Sequence, residues 1–532
     1  LQFDFNKFMD ANRNHNVSAT LGFEASSDKY KGSGITSRGY YEDRGRQFSA
    51  TTLDSYPYFK NWLESNAYPT ITDNLTNLLS AYALISYSYK NFFTITANTR
   101  IDGSNKFGDR SNEKLLPIWS VSGNYNLSEH SFLKRDWIDF VMLKASYGYQ
   151  GNMLEGQSPQ MIVKQLPMDA LYNELLSEVS IYPNPNLRWE KTQTWNVGLS
   201  FSVFDRRLQM EAEAYYKKTK DAFLLKDISS VNGMSQYYVN SGDITNKGYS
   251  LSLTAVPVRF KDFSWTLSTS FSKIFNELKT LPGQDQYDLS QYLSGNALIA
   301  GKPVGTFYSY KFVGLSPKDG MPLFDDGEEH AAELVNMTKY QFYTTILDES
   351  GSREPTMSGT INNTIRYKQW RLNGVLNYSI GSKVRLFKMF TSSSYIPSEN
   401  INKELVNHWS KPGDELITNI PNPVAMSTLH WSRRNTSIPT VASNLFDEYN
   451  YSNHRVVSGN YLKLATLSLT YEFDRSILSK WGLGRLALNL TGTNLYTFCS
   501  GKLKGQTPQQ GGFSEIQLTD RPQYTVGLNI QF

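Results

Sequence analysis

In the last nine residues every second position is apolar or aromatic: Tyr524, Val526, Leu528, Ile530 and Phe532. The positions between them are Thr525, Gly527, Asn529 and Gln531. A strand sends successive side chains to opposite faces, so this spacing makes one oily stripe and one wettable stripe. The same parity recurs upstream. Leu1, Phe3 and Phe5 precede a polar turn, and Val17, Ala19, Leu21 and Phe23 follow it. Ile85, Tyr87 and Tyr89 are followed by Phe93, Ile95 and Ala97. Trp195, Val197, Leu199 and Phe201 face Leu208, Met210, Ala212 and Ala214 across Asp205-Arg206-Arg207. About sixteen such segments can be counted, each of roughly ten residues, the length that carries a tilted strand across a bilayer. The segments between them alternate short (90–91, 204–207, 257–263, 367–370, 474–484) and long (27–75, 151–190, 277–303, 388–459). Outer-membrane barrels have short turns on the periplasmic side and long loops outside, whereas a soluble sandwich has no reason to segregate them. The pattern therefore predicts an all-β transmembrane antiparallel barrel, one domain over residues 1–532, with the long loops extracellular.

Composition narrows the alternatives. Charged residues make up only 19%, yet mean hydropathy is −0.45. Ser, Thr, Asn, Gln, Gly and Tyr fill the gap, as suits a wall with lipid on one side and water on the other. The 34 Tyr and 29 Phe are enough for aromatic girdles at both interfaces. A large secreted sandwich or solenoid shares this composition and is the main rival. A net charge of +4 argues against a nucleic-acid binder. No apolar run reaches the length of a transmembrane helix. The single Cys499 excludes an intramolecular disulfide. Residue 1 opens on strand-like alternation rather than a leader, which suggests a mature chain or a piece of a longer one.

Catalytic patterns are absent. The six histidines show no HExxH spacing, and there is no nucleophile elbow or phosphate loop. No cofactor is expected, and the chain reads as a non-enzyme. Asp325, Asp326 and Glu328 flank Gly327 in an acidic run and are weak candidates for Ca²⁺. They lack the spacing of a dedicated loop, and a solvated surface is the plainer reading. Aromatics crowd the expected external loops: Tyr56, Tyr58, Trp62 and Tyr68, then Tyr237 and Tyr238, then Tyr287 and Tyr292. They are candidate contacts to substrate or partner, and equally candidates for packing the loops together.

Particular phrases then stand out. Arg100-Ile-Asp102-Gly103-Ser104 leads to Phe107-Gly108, and Leu143-Lys-Ala-Ser146-Tyr147-Gly148 leads to Gly151-Asn152. Asn184-Pro185-Asn186-Leu187-Arg-Trp189-Glu190 and Asn240-Ser-Gly242-Asp-Ile-Thr-Asn246-Lys247-Gly248 follow. Gly301-Lys-Pro303-Val-Gly305-Thr-Phe307-Tyr308, Trp409-Ser-Lys-Pro412-Gly413-Asp414 and Gly459-Asn460-Tyr461-Leu462 complete the order. In this sequence of motifs the chain resembles the SusC/RagA family of TonB-dependent outer-membrane transporters of Bacteroidetes. Leu323 to Met357 departs from the acidic, Gly-rich segment of that family, which weakens the calcium reading further.

The resemblance implies a plug domain and a barrel of roughly 22 strands, of which this chain supplies about the last sixteen. The plug and about six strands are then expected outside this sequence, with Tyr524 to Phe532 closing the barrel against one of them. It also implies active import of large nutrients, oligosaccharides or oligopeptides, coupled to TonB through an N-terminal region. A SusD-like surface lipoprotein would cover the long loops, in a dimer of transporter–lipoprotein pairs. A passive sixteen-strand porin and a non-transporting scaffold in a surface complex are the rival functions.

Overall fold

The computed structural model describes residues 1–49, 52–66, 69–105, 115–152, 161–169, 171–184, 189–234, 236–280, 287–325, 331–390, 402–423, 445–503, 505–510 and 519–531. Fifteen strands form one sheet. They are β1 Gln2–Phe8, β2 His15–Gly34, β3 Thr70–Tyr89, β4 Phe93–Ser104 and β5 Leu115–Asn126. Then come β6 Ile138–Asn152, β7 Glu190–Val203, β8 Leu208–Asp227, β9 Gln236–Arg259 and β10 Phe263–Thr280. The last five are β11 Met357–Tyr367, β12 Trp370–Ile380, β13 Tyr461–Glu472, β14 Arg485–Cys499 and β15 Gln523–Gln531. Each strand pairs antiparallel with its sequence neighbour in the wall, so the sheet is an uninterrupted meander.

Among the described residues fifteen wall strands stand against about sixteen expected, and short strands within the long connections pair with one another. Thr306–Tyr310 pairs with Leu347–Ser352, and Lys383–Arg385 with Val456–Ser458. Among the described residues β1 and β15 each pair on one side only. Among the described residues no helix is long and apolar enough to cross a membrane.

A meander places successive connections at opposite ends. One end carries 9–14, 90–92, 127–137, 204–207, 260–262, 368–369 and 473–484, the other 35–69, 105–114, 153–189, 228–235, 281–356, 381–460 and 500–522. The alternation read from sequence is thus a geometric segregation. The strands run further than the hydropathy pattern indicated: 27–34 and 70–75 are paired strand rather than loop. At 24 residues β9 is far longer than the 9 to 11 or so that a bilayer needs, so the wall stands well clear of the membrane at its long-loop end. Bulges help there. Asp221 takes a left-handed φ of 57° at a register shift between β8 and β9, and Asn240 Nδ2 donates to its carbonyl at 2.9 Å.

The buried apolar clusters lie in the connections at the long-loop end. Tyr292, Leu293, Tyr308, Tyr310, Leu334, Phe342 and Ile346 make one cluster within 281–356. Met321, Met389, Phe390, Leu405, Phe446 and Tyr449 make a second that joins this connection to 381–460. Val384, Leu386, Val457 and Leu503 bring in the connection after β14. Three connections therefore fold into one body at that end of the sheet. The stretch Asn400 to His408, in which the sequence suggested a short helix, holds a 3-10 turn over Lys403–Asn407 capped by Asn402.

Candidate functional site

Cross-strand register sorts the wall into two chemically different faces. Phe5, Ala19, Ile85, Ala97, Val121, Tyr147, Trp195 and Tyr216 are successive partners across eight strands. Trp265, Ile365, Leu372, Leu469, Leu490 and Val526 continue such a row at the other side. Val197 is 62% exposed and Val526 73%, an apolar band that water would not tolerate and lipid would. The opposite face carries the row Thr266, Thr364, Asn373, Ser468, Thr491 and Thr525. Its members bond one another: Thr364 Oγ1 donates to Asn373 at 2.9 Å, Ser468 Oγ to Asn489 at 2.8 Å and Thr491 Oγ1 to Ser468 at 3.1 Å. This face is the water-filled side of the wall.

Two shallow hollows lie on it. One of about 290 Å³ is lined by Ser122, Asn124, Ser146, Asn196 and Glu213, with Lys144 Nζ on Glu211 at 2.7 Å. The other, of about 360 Å³, lies among Thr364, Arg371, Asn373, Ser468, Thr470, Arg485, Asn489 and Asn529. On the same face nearer the long-loop end, Arg100 ties three strands together. Its Nε donates to Asp102 at 2.6 Å and its Nη2 to Glu24 at 3.0 Å and Ser80 at 2.8 Å. The Arg-x-Asp motif is thus a cross-strand clasp.

Other motif residues also serve construction. Asn184 is buried and donates to the Tyr238 carbonyl at 2.9 Å. Gly301 and Gly305 turn at φ of 78° and 84°, and place Phe307 and Tyr308 in the loop core. Asp414 accepts from the backbone of Ser410 and Lys411, both at 3.0 Å, across Gly413 at φ 101°. Asn460 accepts from Gly381 N at 2.8 Å.

The aromatic candidates separate into surface and core. Tyr58 is 91% exposed and Tyr56 is exposed beside it, at the start of the helix Pro57–Ser65. Trp62 of that helix stacks on Phe59 and lies under the Arg38 guanidinium at 4.4 Å. Tyr237 and Tyr238 are half-buried in β9, where the Tyr237 hydroxyl donates to the Pro183 carbonyl at 2.8 Å. Tyr287 and Tyr292, candidates for contact from sequence, are packing residues. Both are buried in the first loop cluster, Tyr292 with 0% exposure, so neither offers a surface to a ligand. Tyr68 lies outside the described residues. So do Asp326, Glu328 and the terminal Phe532. Asp325 is exposed, 3.9 Å from Lys311. Among the described residues no three His, Cys, Asp or Glu side chains gather as metal ligands. Tyr524, Val526, Leu528 and Ile530 lie on β15, paired to β14 on one side.

Sequence reasoning missed the hub of the loop body. Arg385 is 1% exposed, and its guanidinium donates to the carbonyls of Leu293, Tyr308 and Ser452 and to Ser309 Oγ, at 2.8 to 3.4 Å. The rings of Phe307 and Tyr451 flank it at 5.1 and 5.2 Å. Burial pulls its pKa down to about 9, which leaves it charged at neutral pH. Burial likewise pushes the Tyr449 hydroxyl up to about 12, and burial together with the Arg455 charge holds His454 below the usual imidazole range. Asn450 Oδ1 accepts from Met389 N at 2.8 Å and Gln506 Nε2 donates to the Arg385 carbonyl at 2.9 Å. Such partners come from all three connections and leave no local sequence signature.

With these faces and loops in place, similarity to known proteins can be weighed. Residues 2–316 match the family described as TonB dependent receptor-like, beta-barrel. The TonB-dependent receptor P39 of Formosa agariphila is 26% identical over all of this chain and 52% of its own length. The TonB-dependent receptor SusC of Bacteroides thetaiotaomicron is 25% identical over 90% of this chain and 46% of its own. A solved structure of the RagAB peptide transporter superposes with a TM-score of 0.79 at 23% identity, over all of this chain and 55% of that one. The chain thus spans about half the length of the curated relatives it matches. It belongs to the TonB dependent receptor-like β-barrel family, and its sheet is wall of an outer-membrane barrel.

Proposed function

We propose that this chain is the wall and outer loop surface of a TonB-dependent importer of large nutrients, oligosaccharides or oligopeptides. The observation that carries this reading is the hydrogen-bonding face of the wall, set opposite a lipid-facing band in a chain of this family. A face of Ser, Thr, Asn and Gln side chains meets sugars or peptides with donors and acceptors and moderate affinity per contact, which suits passage. The long-loop end faces outward in this reading. Its exposed aromatics Tyr56 and Tyr58, beside Trp62, are the surface for cargo or for a SusD-like lipoprotein seated over the loops. A solved relative is described as the RagAB peptide transporter, which supports peptide as one cargo class. TonB would engage parts of the whole protein outside this sequence. No bond-making chemistry is assigned to the wall.

The test is uptake of a panel of oligosaccharides and oligopeptides by cells with and without the full-length gene, each with and without a proton uncoupler. Uptake of one class that needs both the gene and the proton gradient is expected. Gene-dependent uptake that ignores the uncoupler would make the barrel a passive porin. A gene whose loss changes no uptake but breaks up a surface complex would make it a scaffold.

A further inference from the structure

Near the short-turn end, the water-facing side of the wall has an uneven charge balance. Arg366 of β11 and Arg371 of β12 are cross-strand partners, so two like charges sit side by side on one face. Arg485, at the start of β14, points to the same face as Ala487 and Asn489. Between Arg371 and Arg485 stands the Glu472 carboxylate. Arg371 Nη2 and Arg485 Nη2 both donate to one oxygen of Glu472, Oε1, at 3.1 and 2.6 Å. Two guanidinium groups thus share one acid beside the third, and Arg371 and Arg485 open onto the 360 Å³ hollow whose other polar lining includes Asn373, Ser468, Thr470, Asn489 and Asn529. A guanidinium has five N–H donors in a rigid fork, and each of these two gives a single nitrogen to Glu472. Side-chain exposures of 38% and 56% leave the rest of both forks open to the hollow.

We propose that this basin is a carboxylate-binding station on the lumenal wall, with Arg371 and Arg485 as the fork that grips the anion. Arg366 adds charge, and the amides of Asn373, Asn489 and Asn529 hydrogen-bond the atoms around it. Like-charge arginines set across strands weaken the sheet unless an anion sits between them, and one half-used glutamate is too little for three. The carboxylate comes from one of two sources: acidic cargo such as a uronic-acid oligosaccharide, or an acidic side chain from a part of the whole protein outside this chain. The station rests on the reading of this face as the lumen, but binding can be measured without transport.

The experiment uses the full-length protein, purified, with tetragalacturonate and its fully methyl-esterified form as probes in calorimetry. The variants are R371Q/R485Q, R371K/R485K and E472Q, each checked for folding by heat-dependent electrophoretic mobility. If cargo supplies the anion, tetragalacturonate binds wild type at least tenfold tighter than the ester. That preference disappears in R371Q/R485Q, survives in part in the lysine variant and grows in E472Q. If the protein itself supplies it, wild type shows no preference. R371Q/R485Q then lowers the unfolding temperature by several degrees and admits vancomycin to intact cells, while the lysine variant does neither fully. Absence of both the preference and the loosening, in folded variants, overturns the station. Binding without any gene-dependent uptake would count against the transport reading alone.

Discussion

Arg385 shows how one side chain decides the form of a loop body. Its donors satisfy carbonyls from two connections, Leu293 and Tyr308 in one and Ser452 in the other. A buried carbonyl stripped of its donor costs about 1–3 kcal/mol, and several would be stripped together. Arg385→Met fills much of the same space but donates nothing. It is expected to raise the rate of proteolytic cleavage within 287–356 at least tenfold, with the wall's heat-dependent mobility unchanged. Arg385→Lys keeps the charge yet cannot fork toward Leu293, Tyr308 and Ser309 at once, so it should fall between. Cleavage of Arg385→Met at the wild-type rate would show that the apolar clusters hold the loops without it. This hub was invisible in the sequence because its partners lie 67 to 92 residues away, in segments with no shared period. Tyr292 misled for the same reason. An aromatic in a polar stretch looks like a binding surface until Tyr308 and Tyr343, distant in sequence, close over it.

At the scale of the strand pair, glycine and tyrosine face each other repeatedly. Gly22 pairs with Tyr82, Gly248 with Tyr215 and Gly359 with Tyr378. In each pair the ring lies over the bare Cα, and at Gly248 an added Cβ would meet the Lys273 carbonyl at 2.5 Å and the Tyr215 hydroxyl at 2.7 Å. A ring laid on a glycine covers backbone that no side chain shields and pins register, at Gly22 and Gly248 on the polar face and at Gly359 on the apolar one. Gly248→Leu should therefore cut the amount of folded protein in the outer membrane several-fold, read by surface labelling and heat-dependent mobility. Gly123→Ala, with nothing within 4 Å of its added Cβ, should leave it unchanged. Equal levels for both variants would refute a register role for the ring. Wall strands such as β15 were legible because one face meets lipid and the other water, which stamps a period of two on the residues. The loop strands were not: all five residues of Thr306–Tyr310 are buried, so no alternation marks them.

Over the whole molecule, the alternation of connections ties topology to orientation. Insertion through the wall puts every turn such as Lys368–Gln369 on one side and every connection such as 153–189 or 228–235 on the other. Among the described residues the apolar loop clusters lie on the second side, which the outward reading places outside the cell. A short epitope placed after Gly233, at an exposed left-handed turn of φ 78°, should bind antibody on intact cells. The same epitope between Lys368 and Gln369 should bind only after the outer membrane is opened. The reverse result would turn the barrel over, and with it the assignment of Tyr56 and Tyr58 to an outer surface. It would also move the arginine basin, which lies next to the short turns, from the inner mouth of the lumen to the outer one. Orientation is therefore the measurement on which both the cargo-contact residues and the carboxylate station depend. An epitope after Gly233 leaves the three loop clusters untouched, because none of the described residues of that connection belongs to them.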